Sequence, residues 1–349
     1  MSSDSARTPK RVLVIGSGQR VREAALPALA SLPADFELAE IRSRKPKTIE
    51  SGGREHAVLP LEGLDQATLD GFDLIYLVVK KPAVPIVLRQ LGALNLARVD
   101  LLIETPVLLT KHMGHRALLR PFRNVWVSED CSTLPWIDVA FEAAERAGWG
   151  ALQRAVLDRS GYAYHGVALL RTLFAGQHLT GAGRKSAGDG LRRRTYRYSR
   201  GGVGEVLEPR DYAVGALDLE FAGGRLTDRT DPGGALKLEP IVEGQACVGF
   251  RAGDVEGRLS PAEAALMGAP KGTSGVWAWM DGAKRVGFHR LLAAIADGRG
   301  AYSVDDALDD ALIDYHLERL GRYRPNPLTS AGGSLSGPLY GLLTRVAGR

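Results

Sequence analysis

Two glycines and a run of cations carry the clearest chemistry in this sequence. Gly16 and Gly18 stand in RVLVIGSGQRVREAALPALASL, where a buried-looking apolar run ends, a turn intervenes and an amphipathic pattern begins. A glycine at the first position permits a tight turn, and one at the second lets a diphosphate approach the backbone. The free N–H groups that open the following helix then face the anion. Gly16, Ser17, Gly18, Gln19 and Arg20 are therefore the expected diphosphate contacts. Val21 fills the place where a third small residue commonly sits, which implies a wider strand-to-helix contact. The bland reading is a glycine turn in an unrelated α/β protein.

The next strand decides which dinucleotide. It runs out into Ile41-Arg42-Ser43-Arg44-Lys45, with Glu40 just before. A carboxylate at that strand end binds a ribose 2′-hydroxyl, whereas cations and a hydroxyl bind a 2′-phosphate. NADP(H) is expected over NAD(H), which stays possible, with Ser43 and Arg44 as the contacts and Arg20 as a second cationic neighbour. A solvated basic turn is the alternative for the same residues.

These groups need an α/β frame. The first half alternates short apolar runs with helical patterns, as a parallel sheet with crossover helices demands. Strands are expected at Arg11 to Ile15, Phe36 to Ile41, Leu74 to Val79, Leu101 to Ile103 and Val125 to Val127. Helices are expected from Arg20, Lys81 and Thr110, with a short one over Leu61 to Leu69. A long helix through Ala147, a strand at Ala155 to Asp158 and a helix over His165 to Phe174 follow. Strands at Leu191 to Ser199, Ala213 to Phe221, Ala246 to Phe250 and Val276 to Met280, separated by glycine-rich turns, read as a mostly antiparallel sheet. Helices over Lys284 to Ala296 and Ser303 to Leu320 close the body.

At 349 residues two domains are expected: a flexible N-terminus over 1–9, a Rossmann doubly wound parallel sheet over 10–127, an α+β domain over 128–323 and a tail over 324–349. With 45% hydrophobic and 24% charged residues the chain is globular rather than disordered. Two cysteines, Cys131 and Cys247, are too few for a disulfide framework. The polar N-terminal run is no export signal, and no window nears the roughly 20 apolar residues of a membrane span, so a cytoplasmic protein is expected. The net charge of +5 raises nucleic acid as a partner, and LRRRTYRYSR (191–200) is the densest basic stretch. As a strand it places Arg192, Arg194, Tyr196, Tyr198 and Arg200 on one face and Arg193, Thr195 and Arg197 on the other. Neither is a helical basic stripe, so no nucleic-acid partner is expected.

Taken together, four ordered segments resemble the Gfo/Idh/MocA family, the glucose-fructose oxidoreductases, inositol dehydrogenases and rhizopine catabolism proteins. They are GSGQRVREAALPAL, DLIYLVVKKPAVPIVLRQL (Asp73 to Leu91), IETPVLLT (Ile103 to Thr110) and HGVALLRTLFAG (His165 to Gly176). The resemblance implies an open-faced sheet in the second domain, used for substrate binding and for homodimer or homotetramer contacts. It also implies hydride transfer at a nicotinamide. Val79, Glu104, Thr105 and Pro106 then join the cofactor contacts, and His165 matches the family's active-site histidine.

The departures touch the chemistry. Thr105 stands where the family's Glu-Lys-Pro motif has the lysine that contacts the reacting oxygen, and a threonine carries no positive charge. The family's aspartate falls at Gly161 and a later carboxylate at Ala168. One reading is a reductase of a C=O or C=N group whose proton comes from His165, Tyr164 or Tyr162. A second moves the missing charge to Lys80, just past the fourth strand. A third is a catalytically inactive nucleotide sensor or partner subunit. His112 and His115 lack a third ligand, so no metal is expected. Trp277 and Trp279 share a strand face as core or as a substrate wall. Asp305, Asp306, Asp309 and Asp310 suit the positive end of a helix dipole.

Overall fold

The computed structural model describes residues 8–271 and 275–325. The first seven residues, and all of the expected tail beyond residue 325, lie outside that range. The described chain divides into two compact units, 8–129 with 288–308, and 130–287 with 309–325.

The first unit is built on β1 (Lys10–Ile15), β2 (Phe36–Ser43), β3 (Lys47–Ser51), β4 (Arg54–Pro60), β5 (Leu74–Leu77), β6 (Asp100–Glu104) and β7 (Val125–Ser128). Their order across the sheet is β3-β4-β2-β1-β5-β6-β7, and every neighbouring pair is parallel except β3 with β4. Val12, Leu13, Val14 and Ile15 are all fully buried, as a strand covered on both faces requires. The strand order reverses between β1 and β5, which is where a doubly wound sheet opens its binding crevice. Helical segments cover the faces: residues 19–30, with a π-type turn at Val21–Ala25 and α1 at Leu26–Ala30, then α2 (Gln66–Leu69) and α3 (Val84–Leu91). The expected helix at Leu61 splits into a 3₁₀ turn, Leu61–Gly63, and α2, whose N-cap Asp65 accepts from the Thr68 amide at 2.8 Å. The segment Thr110–Leu119 is 3₁₀ rather than α.

The sequence reading passes over the β3–β4 hairpin. Its signal is the Gly52-Gly53 pair, both at positive φ as a tight primed turn demands. Its strands carry few apolar side chains and do not announce themselves.

The second unit is one ten-stranded sheet. Its strands are β8 (Leu152–Asp158), β9 (Leu179–Gly188), β10 (Leu191–Tyr198), β11 (Val203–Glu208), β12 (Ala216–Phe221), β13 (Arg225–Thr227), β14 (Leu236–Glu243), β15 (Ala246–Ala252), β16 (Val255–Arg258) and β17 (Arg322–Tyr323). The order is β16-β15-β14-β13-β12-β8-β11-β10-β9-β17. Only β8–β11 and β13–β14 are parallel among these pairs, so the sheet is mostly antiparallel. Helices α4 (Pro135–Arg146), α5 (Ala163–Leu173) and α6 (Pro261–Met267) belong to this unit. The glycines set how close α5 lies: a Cβ on Gly204 would meet Leu170 of α5 at 2.7 Å. On β10, Arg194, Tyr196 and Tyr198 are buried, so the centre of this face is interior while Arg192 and Arg200 at its ends are exposed.

Two long helices follow, α7 (Met280–Ala296) and α8 (Val304–Leu320), and both units draw on each. Residues 288–308, which the sequence reading assigns to the second domain, count with the first. Phe288, Leu291, Leu292 and Ile295 share a core there with Val12, Val14, Tyr76 and Leu102. The expected strand at Val276 to Met280 is a correction. Val276–Trp279 is a 3₁₀ turn leading into α7. Every residue from Val276 to Met280 is buried, and in a run buried all round the apolar pattern cannot separate strand from helix. Trp277 and Trp279 therefore share no strand face, and both are core.

Candidate active site

The glycine turn is built as a cradle. Gly16 ends β1 with φ +138°, and a Cβ there would lie 1.9 Å from the Val78 carbonyl oxygen. No side chain fits between β1 and the strand across the order reversal. The Gly16 amide donates to the Arg42 carbonyl at 2.8 Å, and the Val78 amide to the Ile15 carbonyl at 2.8 Å, so both flanking strands hold the turn. A Cβ on Gly18, by contrast, would meet nothing within 4 Å among the described residues: they leave the space above it open. Ser17 lends its carbonyl to Lys47, and Gln19 donates to Glu23 at 2.8 Å. Val21 is fully buried, and the turn it opens is π-type.

Beside the turn a cavity of about 410 Å³ has Ser43, Arg44, Glu62, Val79, Lys80 and Gln90 among its lining residues. The expected contacts Ser43, Arg44 and Val79 thus meet in one place. Arg42 does not join them. It is 5% exposed, binds Glu40 and donates to the Pro60 carbonyl at 3.0 Å. Arg20 is also directed elsewhere: its Nε donates to Glu104 at 3.0 Å and its guanidinium lies 5.0 Å from the Phe288 ring centre. Among the described residues Arg44 and Lys80 form no ion pair, and both are exposed.

A second, buried polar cluster sits at the ends of β5, β6 and β7. Glu104 closes β6, and its carboxylate accepts from Arg20, from the Tyr76 hydroxyl and from the Ser128 hydroxyl at 2.7 Å. Burial works to raise this carboxyl, but the charges of Arg20 and Lys81 and the two hydroxyl donors outweigh it and hold the group below its ordinary value. Thr105 follows, 6% exposed, its hydroxyl donating to Glu129 at 3.0 Å, with a cis bond to Pro106. The lysine reaching this cluster is Lys81. Its Nζ donates to the Glu104 carbonyl at 2.7 Å, and burial pushes its pKa down to about 8 although Glu104 pulls the other way. Lys80, the lysine the sequence reading favours, lines the cavity beside Arg44 instead. The choice between two adjacent lysines turns on the 3₁₀ turn Lys81–Ala83, of which Lys80 is the N-cap and Lys81 the first residue.

In the second unit, His165 lies in the first turn of α5, half-buried, its ring 4.3 Å from that of Tyr164. Tyr162 is 50% exposed under Arg210. Gly161 has no room for the expected aspartate, because a Cβ there would sit 2.8 Å from Val206. A carboxylate reaches the histidine from elsewhere: Asp130, Cys131 and His165 bring an oxygen, a sulfur and a nitrogen within 4.8 Å of one another. These three atom types are those that ligate zinc. Nothing in the sequence links Asp130 to His165. His112 and His115 stand with ring centres 6.2 Å apart in the first unit. Asp305 binds Arg116, and Asp310 binds Arg171 at 2.7 Å.

By sequence, no protein-family model and no curated protein matches this chain. By structure, myo-inositol 2-dehydrogenase from Lactobacillus plantarum aligns over 91% of this chain and 100% of its own at TM-score 0.60 and 13% identity. Aldose-aldose oxidoreductase from Caulobacter crescentus, complexed with glycerol, aligns over 91% and 100% at TM-score 0.60 and 14% identity. Levoglucosan dehydrogenase, in complex with NADH and L-sorbose, aligns over 91% and 99% at TM-score 0.57 and 12% identity. The chain has the fold of the Gfo/Idh/MocA-type oxidoreductases. The cradle at Gly16, the open space over Gly18 and the adjoining cavity fit a dinucleotide in the first unit.

Proposed function

We propose that this protein is a nicotinamide-dinucleotide-dependent oxidoreductase that prefers NADP(H) and reduces a C=O or C=N group of a small molecule. The observation that carries the reading is that the cavity at Ser43 and Arg44 is also lined by Ile15, the residue directly before the glycine cradle. The Gly16–Gly18 turn would hold the diphosphate and Val79 would pack on the adenosine side, while the bound dinucleotide supplies hydride. The phosphate preference rests on two features of the β2 end. Glu40, the carboxylate a 2′-hydroxyl would need, is engaged by Arg42, while Arg44 is exposed and unpaired among the described residues. The bound NADH of levoglucosan dehydrogenase supports a nicotinamide cofactor for this fold.

Calorimetry tests the reading. NADPH is expected to bind wild-type protein more tightly than NADH. Arg44→Asp removes a charge-assisted contact worth about 1.5–3 kcal/mol and should weaken NADPH by about tenfold or more. NADH affinity should be unchanged by that substitution. Absence of heat with either dinucleotide would overturn the assignment. If NADPH binds but is not oxidised by any of a broad panel of carbonyl and imine compounds, the sensor or partner-subunit reading replaces it.

A further inference from the structure

We propose that Lys81 supplies the ammonium that the chain lacks at position 105, contacting the reacting oxygen or nitrogen of the substrate and giving it a proton. This rests on the oxidoreductase reading above and names the group that completes it.

The placement follows from the sheet. β5 ends at Leu77, and Lys81 opens the 3₁₀ turn that follows, on the edge where the strand carboxyl ends open. Its Nζ is tied to the carbonyl of Glu104, the residue directly before Thr105. The amine thus comes from a neighbouring strand to the backbone of the position where the resemblance expects a lysine. Thr105 cannot take the role, since its hydroxyl is neutral and turned to Glu129. One N–H of Lys81 is held by the Glu104 carbonyl, and an ammonium has three. The others meet no acceptor among the described residues.

A lysine that served only as a strut would be stronger as a full cation. Here burial disfavours the charge and Arg20 opposes it, and the attraction of Glu104 and Glu129 does not make up the difference. Glu104 shares its carboxylate among Arg20, Tyr76 and Ser128, so little of it is left to Lys81. Burial dominates, and the amine is poised near neutrality, where a proton donor works best. In the step itself the substrate carbon accepts hydride from a reduced nicotinamide, which is oxidised. The C=O or C=N π pair moves to the heteroatom, and the new O–H or N–H bond forms with a proton from Lys81 Nζ. Lys81 is left as the neutral amine and regains its proton from water.

The test reads Lys81 directly and needs no substrate. Reductive methylation with ¹³C-formaldehyde labels every lysine of the full chain, and the resonance lost in Lys81→Arg identifies Lys81. Its titration midpoint is expected near 8, clear of the ordinary lysine range near 10.4. Saturation with NADP⁺, whose nicotinamide ring is cationic, should lower the midpoint further, and NADPH, whose ring is neutral, should not. On unlabelled protein, NADP⁺ affinity should rise about threefold or more from pH 6.5 to 9 by the same like-charge repulsion. Lys81→Met should abolish that rise. A structural strut moves none of these readouts.

A Lys81 midpoint in the ordinary range overturns the proposal, as does a midpoint that responds equally to both forms of the cofactor. If neither dinucleotide binds, the failure belongs to the oxidoreductase reading, and the donor role falls with it. If both bind and Lys81 ignores the nicotinamide charge, only the assignment of Lys81 is lost.

Discussion

Each unit buries a cluster of charges, and the two are balanced in opposite ways. In the second unit, Arg194 is 2% exposed and its guanidinium is spanned by Glu208 at 2.9 Å, Asp314 at 2.6 Å and Glu318. Arg184 and Arg192 add cations on Glu318. Each of the three nitrogens of that arginine's fork donates to a carboxylate, and its pKa is raised although burial alone would lower it. In the first unit the central group is a carboxylate, Glu104, and the nearby amine of Lys81 receives a carbonyl rather than a carboxylate. The lysine's pKa falls. A saturated cation fixes a fold, and an undersupplied one keeps a proton ready to leave. The same kind of burial therefore yields a structural strut in one place and a chemical group in the other.

Substitutions can break or sharpen this contrast. The largest effect is expected from Arg194→Met, which strands Asp314 without its cation and leaves Glu208 only its longer pair with Arg192. Removing one partner of a buried pair costs about 3–5 kcal/mol, to be measured by denaturant unfolding, and dinucleotide affinity below the transition should stay unchanged. A loss under about 1 kcal/mol, the scale of an exposed pair, would show that the cluster is not saturated in the way its distances state.

Next in size is Tyr76→Phe. It removes a hydroxyl donor from the buried Glu104 carboxylate, a charge-assisted bond worth about 1.5–3 kcal/mol. The substitution should also raise the Lys81 midpoint, because a carboxylate with fewer donors attracts the ammonium more strongly. An unchanged midpoint would mean that Glu104 does not govern Lys81.

The smallest effect is a slope. Lys81 titrates near 8 in the folded protein against an ordinary 10.5, so between these values the unfolded chain holds more protons. Stability should therefore rise with pH across that window, relative to Lys81→Met, and flatten above and below it. Unfolding midpoints of the two proteins from about pH 7 to 11 would show it, and parallel curves would remove the perturbed lysine.

Much of the frame was readable in the residues. The short apolar runs of β1, β5 and β6, alternating with helical patterns, read as strands covered on both faces, and the Gly16–Gly18 turn followed from its place between strand and helix. Some signals were present and passed over: Gly52-Gly53 for the hairpin, and Ser260-Pro261-Ala262-Glu263, a capping box that starts α6 with both reciprocal hydrogen bonds formed. Others had no signal to find. The glycine-rich β9 carries little apolar pattern, and the buried run from Val276 to Met280 fits strand and helix alike.

The candidate site divides along the same line. Composition and local order by themselves determined the α/β frame, the glycine turn and the absence of a lysine from position 105, because periodicity and backbone stereochemistry act over a few residues. Which lysine turns inward, that Arg42 and Arg20 are spent on Glu40 and Glu104, and that Asp130 comes beside His165 were decided only by tertiary structure. Those outcomes depend on desolvation and on partners tens of residues away, and neither quantity is a property of any short stretch of chain.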